Sequence, residues 1–159
     1  MSEESLLDWA RSRPKPRAIV CDIDDTLCTA FDCPILIAVK ALAALDRSIA
    51  VHYVTARPEG SRPGTEQFLA DHRLPGWRNL HFCPSWKSTR QHKTEVMARL
   101  AREYHVLVSI GDHDEDEAAS LAAGIPFVRV TDDTLEQAWA EVARLIVARA
   151  PPESPEVSR

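Results

Sequence analysis

The stretch Val20-Cys21-Asp22-Ile23-Asp24-Asp25-Thr26-Leu27 decides the fold. An apolar run, Arg17–Cys21, enters directly into three carboxylates and a threonine, which is how a buried strand of a doubly wound sheet ends at its ligand-binding edge. Carboxylates this close repel one another, and either a bound cation or a division into one neutral and one ionised acid relieves the repulsion. A helix cap or a solvated acidic turn accounts for an isolated Asp-x-Asp equally well, so the rest of the chain must choose.

Working outward, four further β-rich runs follow, at Ile49–Val54, Asn79–Cys83, His105–Ile110 and Pro126–Val130. Helical patterns alternate with them: Pro34–Leu45, Thr65–His72, Thr89–Glu103, Asp114–Ala123 and Leu135–Arg149. In the third of these, Met97, Ala101 and Tyr104 share a face beside Val96 and Leu100, the spacing of a packed helix side. Strict alternation predicts an α/β, Rossmann-like three-layer sandwich around a mainly parallel sheet. Residues 1–16, with a short amphipathic piece around Leu6, Leu7 and Trp9, and residues 150–159 read as polar or proline-rich tails about a single domain at 17–149.

Two more strands end in chemistry. Val51-His52-Tyr53-Val54 runs into Thr55-Ala56-Arg57, a hydroxyl and a guanidinium that can donate to phosphate oxygens, or a turn-forming Thr with a surface Arg. Val106 to Ile110 ends in Gly111-Asp112, followed by His113, Asp114, Glu115, Asp116 and Glu117. Acids suit a helix first turn, which explains Asp114, Glu115 and Glu117; Asp112 at the strand end is left over, and hard oxygen ligands in such density suit Mg²⁺. Lys93 sits in the helical pattern between these runs and, taken alone, reads as solvated surface.

Composition sets outer limits. The chain has 159 residues, 45% hydrophobic and 27% charged, enough for one core of ordinary size. No apolar run approaches the ~20 residues of a membrane span, and the N-terminal stretch lacks a signal-like apolar core, which predicts a cytoplasmic protein with no membrane partner. Cys21, Cys28, Cys33 and Cys83 form no paired knuckles, so reduced, mostly buried thiols are expected and a structural zinc is not. Net charge is −5, yet eight acids fall in the two acidic strand-end segments, and 57–102 carries nine bases against four acids. Within that window Trp77, Phe82 and Trp86 interleave with Arg78, Lys87 and Arg90, which suits backbone phosphates and stacked bases, or equally core aromatics beside solvated bases.

In the order Asp-x-Asp-x-Thr, strand plus Thr, Lys, strand plus Gly-Asp, these motifs resemble the haloacid dehalogenase (HAD) superfamily of phosphohydrolases, over about 17–130. A receiver domain uses similar residues but places its second acidic cluster before the Lys, so the order disfavours it. The resemblance implies a HAD-like fold, Asp22 as nucleophile forming an aspartyl-phosphate, and Asp24 as general acid and base. It further implies Mg²⁺ held by Asp22, the Asp24 carbonyl, Asp112 and Asp116. Thr55 and Lys93 would bind phosphoryl oxygens, and Thr26 would fix the loop or bind phosphate. The intervals from Asp24 to Thr55 and from Thr55 to Lys93 each have room for little beyond one helix and one strand, so no large cap domain is expected. The run Thr55-Ala56-Arg57-Pro58, then Thr65 to Leu69, His81-Phe82-Cys83-Pro84 and Lys93, resembles the capless phosphatase domain of polynucleotide kinase-phosphatases, which adds Arg57 to the phosphate-binding set and implies nucleic-acid 3′-phosphate ends as substrate. The Gly111-Asp112 ending departs from that group's pattern. A phosphatase for a small metabolite, such as a nucleotide or sugar phosphate, and a non-catalytic phosphate-binding scaffold are the alternatives.

Overall fold

The structure is a computed structural model, and it describes residues 2–149; the expected tail at 150–159 lies outside them. Seven strands and six α-helices are numbered in chain order: α1 (Glu3–Ser12), β1 (Arg17–Cys21), β2 (Cys28–Thr29), β3 (Cys33–Pro34), α2 (Leu36–Ala43), β4 (Ala50–Pro58), α3 (Arg62–Asp71), β5 (Leu80–Cys83), α4 (Thr89–Glu103), β6 (His105–Gly111), α5 (Asp114–Ala122), β7 (Phe127–Arg129) and α6 (Leu135–Ala148). Five of the strands make one parallel sheet in the order β5-β4-β1-β6-β7. β1 is central, and its residues pair with β4 (Cys21 with Tyr53) on one side and β6 (Cys21 with Ile110) on the other.

Alternation along β1 feeds two cores. Ile19 and Cys21 join Val51 and Tyr53 of β4 under α2, α3 and α6, where Leu42, Leu69 and Trp139 are buried. Val20 faces the other way with Val54 and Val106, under Val96, Met97 and Leu100 of α4 and Ala119 of α5. The expected three-layer α/β sandwich is thus present, with α2, α3 and α6 on one face and α4 and α5 on the other. No helix among the described residues is long and apolar enough to cross a membrane.

Some element bounds differ from expectation for physical reasons. β4 runs on to Pro58, because Pro58 pairs with Cys83 across an irregularity in the β4/β5 ladder. α3 begins at Arg62 rather than Thr65, with Pro63 in its first turn, where a missing N–H costs nothing. Within the N-terminal segment, Glu3–Ser12 is a helix capped by the Ser2 side chain, and none of its residues is buried. The small antiparallel hairpin β2/β3 was not expected at all. Its tip places Phe31 (φ 58°) and Asp32 (φ 53°) in the left-handed region and leaves Phe31 fully in solvent. All four thiols are free; Cys21, Cys28 and Cys83 are buried, whereas Cys33 on this hairpin is exposed.

A second unforeseen feature is a chain of rings behind β4 and β5. Arg99 donates to His81 Nδ1 at 3.0 Å, and His81 Nε2 meets His52 Nδ1 at 3.0 Å. Because a guanidinium can only donate, neutral His81 carries its proton on Nε2 and passes it toward His52, whose Nε2 is buried without a partner. Burial, the second ring and Arg99 push His81 down to about 4, and burial also lowers His52 and His92. A histidine depressed in the fold takes up more protons when unfolded, so its stabilisation is complete above about pH 6.5 and drains away toward about pH 4. Melting temperature should therefore fall steadily between pH 7 and pH 4.5, with His81 contributing at most about 3 kcal/mol. His81→Gln should flatten that slope; an unchanged slope in the variant would assign the effect elsewhere.

Candidate active site

β1 ends at Cys21, and the next residues turn back sharply. The Ile23 carbonyl accepts from the backbone N–H of Thr26, Leu27 and Cys28 at 3.3, 2.8 and 3.2 Å, closing a single tight turn with Asp25 at φ 58°. That geometry separates the acids by face. Asp22 is buried, while the Asp24 side chain is 53% exposed.

Lys93, the fifth residue of α4, comes over the sheet edge to Asp22. Its Nζ lies 3.1 Å from Asp22 Oδ1 and also donates to Asp116 Oδ1, and Lys93 is only 3% exposed. The lysine that alone read as surface is therefore a buried ion-pair centre. Asp116 is held in turn by α5's start: the His113 N–H donates to its Oδ2 at 3.2 Å in a capping box. Gly111 makes this approach possible, because a Cβ there would stand 2.7 Å from the Asp116 carboxylate.

Asp112 completes the group. Carboxylate oxygens of Asp22, Asp112 and Asp116 lie within 4.8 Å of one another. Burial pushes the Asp22 carboxyl well above the usual carboxylate range; Lys93 pulls it back and Asp116 adds to the rise. Asp116 is raised by burial as well, again against Lys93, while the two carboxylates raise Lys93 in spite of its own burial. Three carboxylates around one ammonium leave an excess of negative charge in a poorly solvated place, and an all-oxygen donor set of this kind fits a hard divalent cation such as Mg²⁺.

An open cavity of about 220 Å³ lies over these groups, lined by Asp22, Asp24, Asp25, Ala56, Thr89, Lys93, Asp112, His113 and Glu115. Asp116 sits behind it with Lys93. Thr55 is fully buried beneath the rim at Ala56, and its Oγ1 accepts the Arg57 N–H at 3.1 Å. Thr26 is also fully buried and turns its hydroxyl 3.5 Å from Asp112 Oδ1, which suits the loop-fixing role rather than phosphate contact. Thr89 was missed from sequence; it lies four residues before Lys93, hence on the same helix face.

Arg57 is held within the protein beside the cavity, on Asp24 of its lining. All three of its nitrogens have protein partners: Nε lies 3.0 Å from Asp24 Oδ2, Nη2 lies 2.7 Å from Asp24 Oδ1 and 2.6 Å from Asp32 Oδ1, and Nη1 donates to Thr65 at 3.0 Å. The guanidinium is drawn to these two carboxylates, whose hydrogen bonds raise its pKa further. Asp32, which sequence reading passed over, thus ties the β2/β3 hairpin to Asp24 through Arg57. Cys28 beside this group is pushed up to about 12 by burial, against the pull of Arg57, and is a poor nucleophile.

The basic window of 57–102 does not form one surface. Arg62 pairs with Glu59 and Glu66, and Lys87 with Glu95. Trp77, under Arg78, precedes β5, whereas Trp86 follows it, so the two indoles stand at opposite edges of the sheet.

No family model matches the chain, and no curated protein matches it by sequence. Solved structures do match by shape. A chain of the Pnkp1/Rnl/Hen1 complex aligns with a TM-score of 0.63 at 19% identity, over 73% of this chain and 46% of that one, so this chain spans less than half of it. The class C acid phosphatase of Bacillus anthracis aligns with a TM-score of 0.55 at 13% identity, over 93% and 86% of the two chains. The HAD domain of the effector protein Lem4 from Legionella pneumophila, an inactive mutant, gives 0.52 at 10% identity, over 86% and 94%. At these identities the likeness concerns the fold, and that fold is HAD-like; the described residues contain no large cap domain.

Proposed function

We propose that this protein is a Mg²⁺-dependent phosphohydrolase that cleaves phosphate monoesters through an aspartyl-phosphate on Asp22. The observation that carries this reading is the convergence of Asp22, Asp112 and Asp116 around buried Lys93 at the carboxyl ends of β1 and β6. Mg²⁺, held by Asp22, the Asp24 carbonyl, Asp112 and Asp116, would neutralise charge on the phosphoryl group. A carboxylate attacking a phosphate dianion is otherwise repelled, and Lys93 supplies part of the same compensation. Asp22 forms an O–P bond as the ester P–O bond breaks, and Asp24, at the open rim, gives a proton to the departing oxygen, for which it must leave its pairing with Arg57. Asp24 then takes a proton from the water that attacks phosphorus, releasing phosphate and restoring Asp22.

For the substrate we take 3′-phosphate ends of nucleic acid. An uncapped cavity admits a phosphate carried on a large molecule, and the fold likeness to a chain of the Pnkp1 complex agrees with it. One observation favours a small phosphomonoester instead: Arg62 and Lys87 are tied up in ion pairs, which removes much of the basic surface a polymer would use. A panel of 3′- and 5′-phosphorylated oligonucleotides, mononucleotides and sugar phosphates decides between them. EDTA should silence turnover and Mg²⁺ restore it. Mg²⁺ should also raise the melting temperature of the parent and not that of Asp112→Asn, a readout independent of activity. Metal-independent turnover would defeat the carboxylate-cluster reading.

A further inference from the structure

A second cavity, of about 400 Å³, opens at the same edge of the sheet, lined by Pro58, Glu59, Gly60, Phe82, Cys83, Pro84, Ser85 and Trp86. The same two chain segments wall both. Ala56 and Thr89 line the acidic cavity, and the residues beside them in sequence, Pro58–Gly60 and Phe82–Trp86, line the apolar one. Both belong to the carboxyl edge of the sheet. In the order β5-β4-β1 the end of β5 is two strands from Asp22, about 10 Å at ordinary strand spacing. A nucleotide spans such a gap between its phosphate and the far side of its base.

The lining has the character of a stacking site. Trp86 is 81% exposed, unusual for the residue type that is on average among the most buried, and it stands beside the Pro58 and Pro84 rings and the Phe82 wall. Arg62 lies over Phe82, 4.6 Å from the ring centroid, and holds Glu59, the only charged side chain of the lining. Arg90, on the first turn of α4 next to Thr89, is exposed and makes no ion pair among the described residues. Its charge has no carboxylate partner among the described residues, which suits a further backbone phosphate.

We propose that this groove is the subsite for the terminal base of a nucleic-acid 3′-phosphate end, stacked on Trp86, and this rests on the phosphatase reading of the adjoining cavity. Stacking engages the face that every base has, and the lining offers few polar atoms to read a base edge, so the subsite discriminates base from no base rather than one base from another.

The test compares two oligonucleotides carrying a 3′-phosphate, one with a normal terminal nucleotide and one with an abasic terminal sugar. The parent should show kcat/KM at least about tenfold higher on the base-bearing end. Trp86→Ala should erase that ratio, and Trp86→Phe should keep most of it. Equal rates on the two ends in the parent, or a ratio that survives Trp86→Ala, would overturn the proposal. A binding arm uses the same oligonucleotides, labelled with fluorescein at the 5′ end, and follows anisotropy with the Asp22→Asn variant. Adding Trp86→Ala should weaken the base-bearing oligonucleotide about tenfold and leave the abasic one where it was. Turnover of an aliphatic phosphate monoester with no base-dependent binding would end the subsite and spare the phosphatase reading. Trp86-dependent binding of the base with no turnover of any phosphate monoester would do the reverse.

Discussion

Asp22→Asn should lower hydrolysis of an aryl phosphate more than about a thousandfold, as expected when a covalent nucleophile is replaced. The substitution keeps shape and volume at a position 7% exposed, and the amide oxygen can still accept from Lys93, whose Nζ is 3.1 Å from the present carboxylate. Folding should therefore survive. Stability should improve slightly in the absence of metal, since one of three crowded negative groups is gone and burial already disfavours its charge. Phosphate release and thermal melting, measured on the same preparation, separate chemistry from stability. Turnover near the parental rate would exclude Asp22 as the nucleophile.

Lys93→Met should be the most destabilising of the site substitutions. Methionine fills the volume of the aliphatic stem, so the packing around it is largely kept and the loss is electrostatic. Asp22 and Asp116 would be left buried without their cation, a change that typically costs about 3–5 kcal/mol. In a domain of this size that corresponds to roughly 10 °C in melting temperature. Mg²⁺ should recover part of the loss, because it supplies positive charge to the same oxygens, but not the activity, because in the proposed reaction Lys93 also compensates the phosphoryl group. A variant as stable as the parent in EDTA would show that Lys93 is not the counter-charge of these carboxylates.

Much of this site is legible in the sequence because it is made of strand ends. An apolar run that stops in acids marks both the strand and the edge where ligands collect, so Asp22, Asp24 and Asp112 could be placed before any coordinates. Lys93 could not be placed from its own surroundings, since a lysine near a helix start is ordinarily solvated; only its order between two acidic motifs singled it out. Asp32 and the β2/β3 hairpin gave no usable signal. Two-residue strands are too short for a period to show, and the tip adopts left-handed conformations at Phe31 and Asp32 without the Gly or Asn-Gly that normally announces them. For the same reason the ion pairs of Arg57 are not legible in the sequence: one of its two carboxylate partners, Asp32, lies on an element the sequence does not disclose. The basic window misled in a different way, because charge counted along the chain says nothing about the partners each cation finds across it.

The central place of β1 has a consequence for how the site comes into being. Thr26 and Asp112, which meet beside the acidic cavity, are 86 residues apart in sequence, and Asp22 and Lys93 are 71 apart. The Asp22–Lys93 contact needs α4 in place over β1, and the Thr26–Asp112 contact needs the β1/β6 pairing, the most distant in the sheet, to close a long loop. A nascent chain emerging from the ribosome holds Asp22 and Asp24 long before it holds Asp112 and Asp116, so it has half of the proposed metal site through most of its synthesis. Metal capture should then coincide with the last steps of sheet assembly and act as a latch on the finished fold.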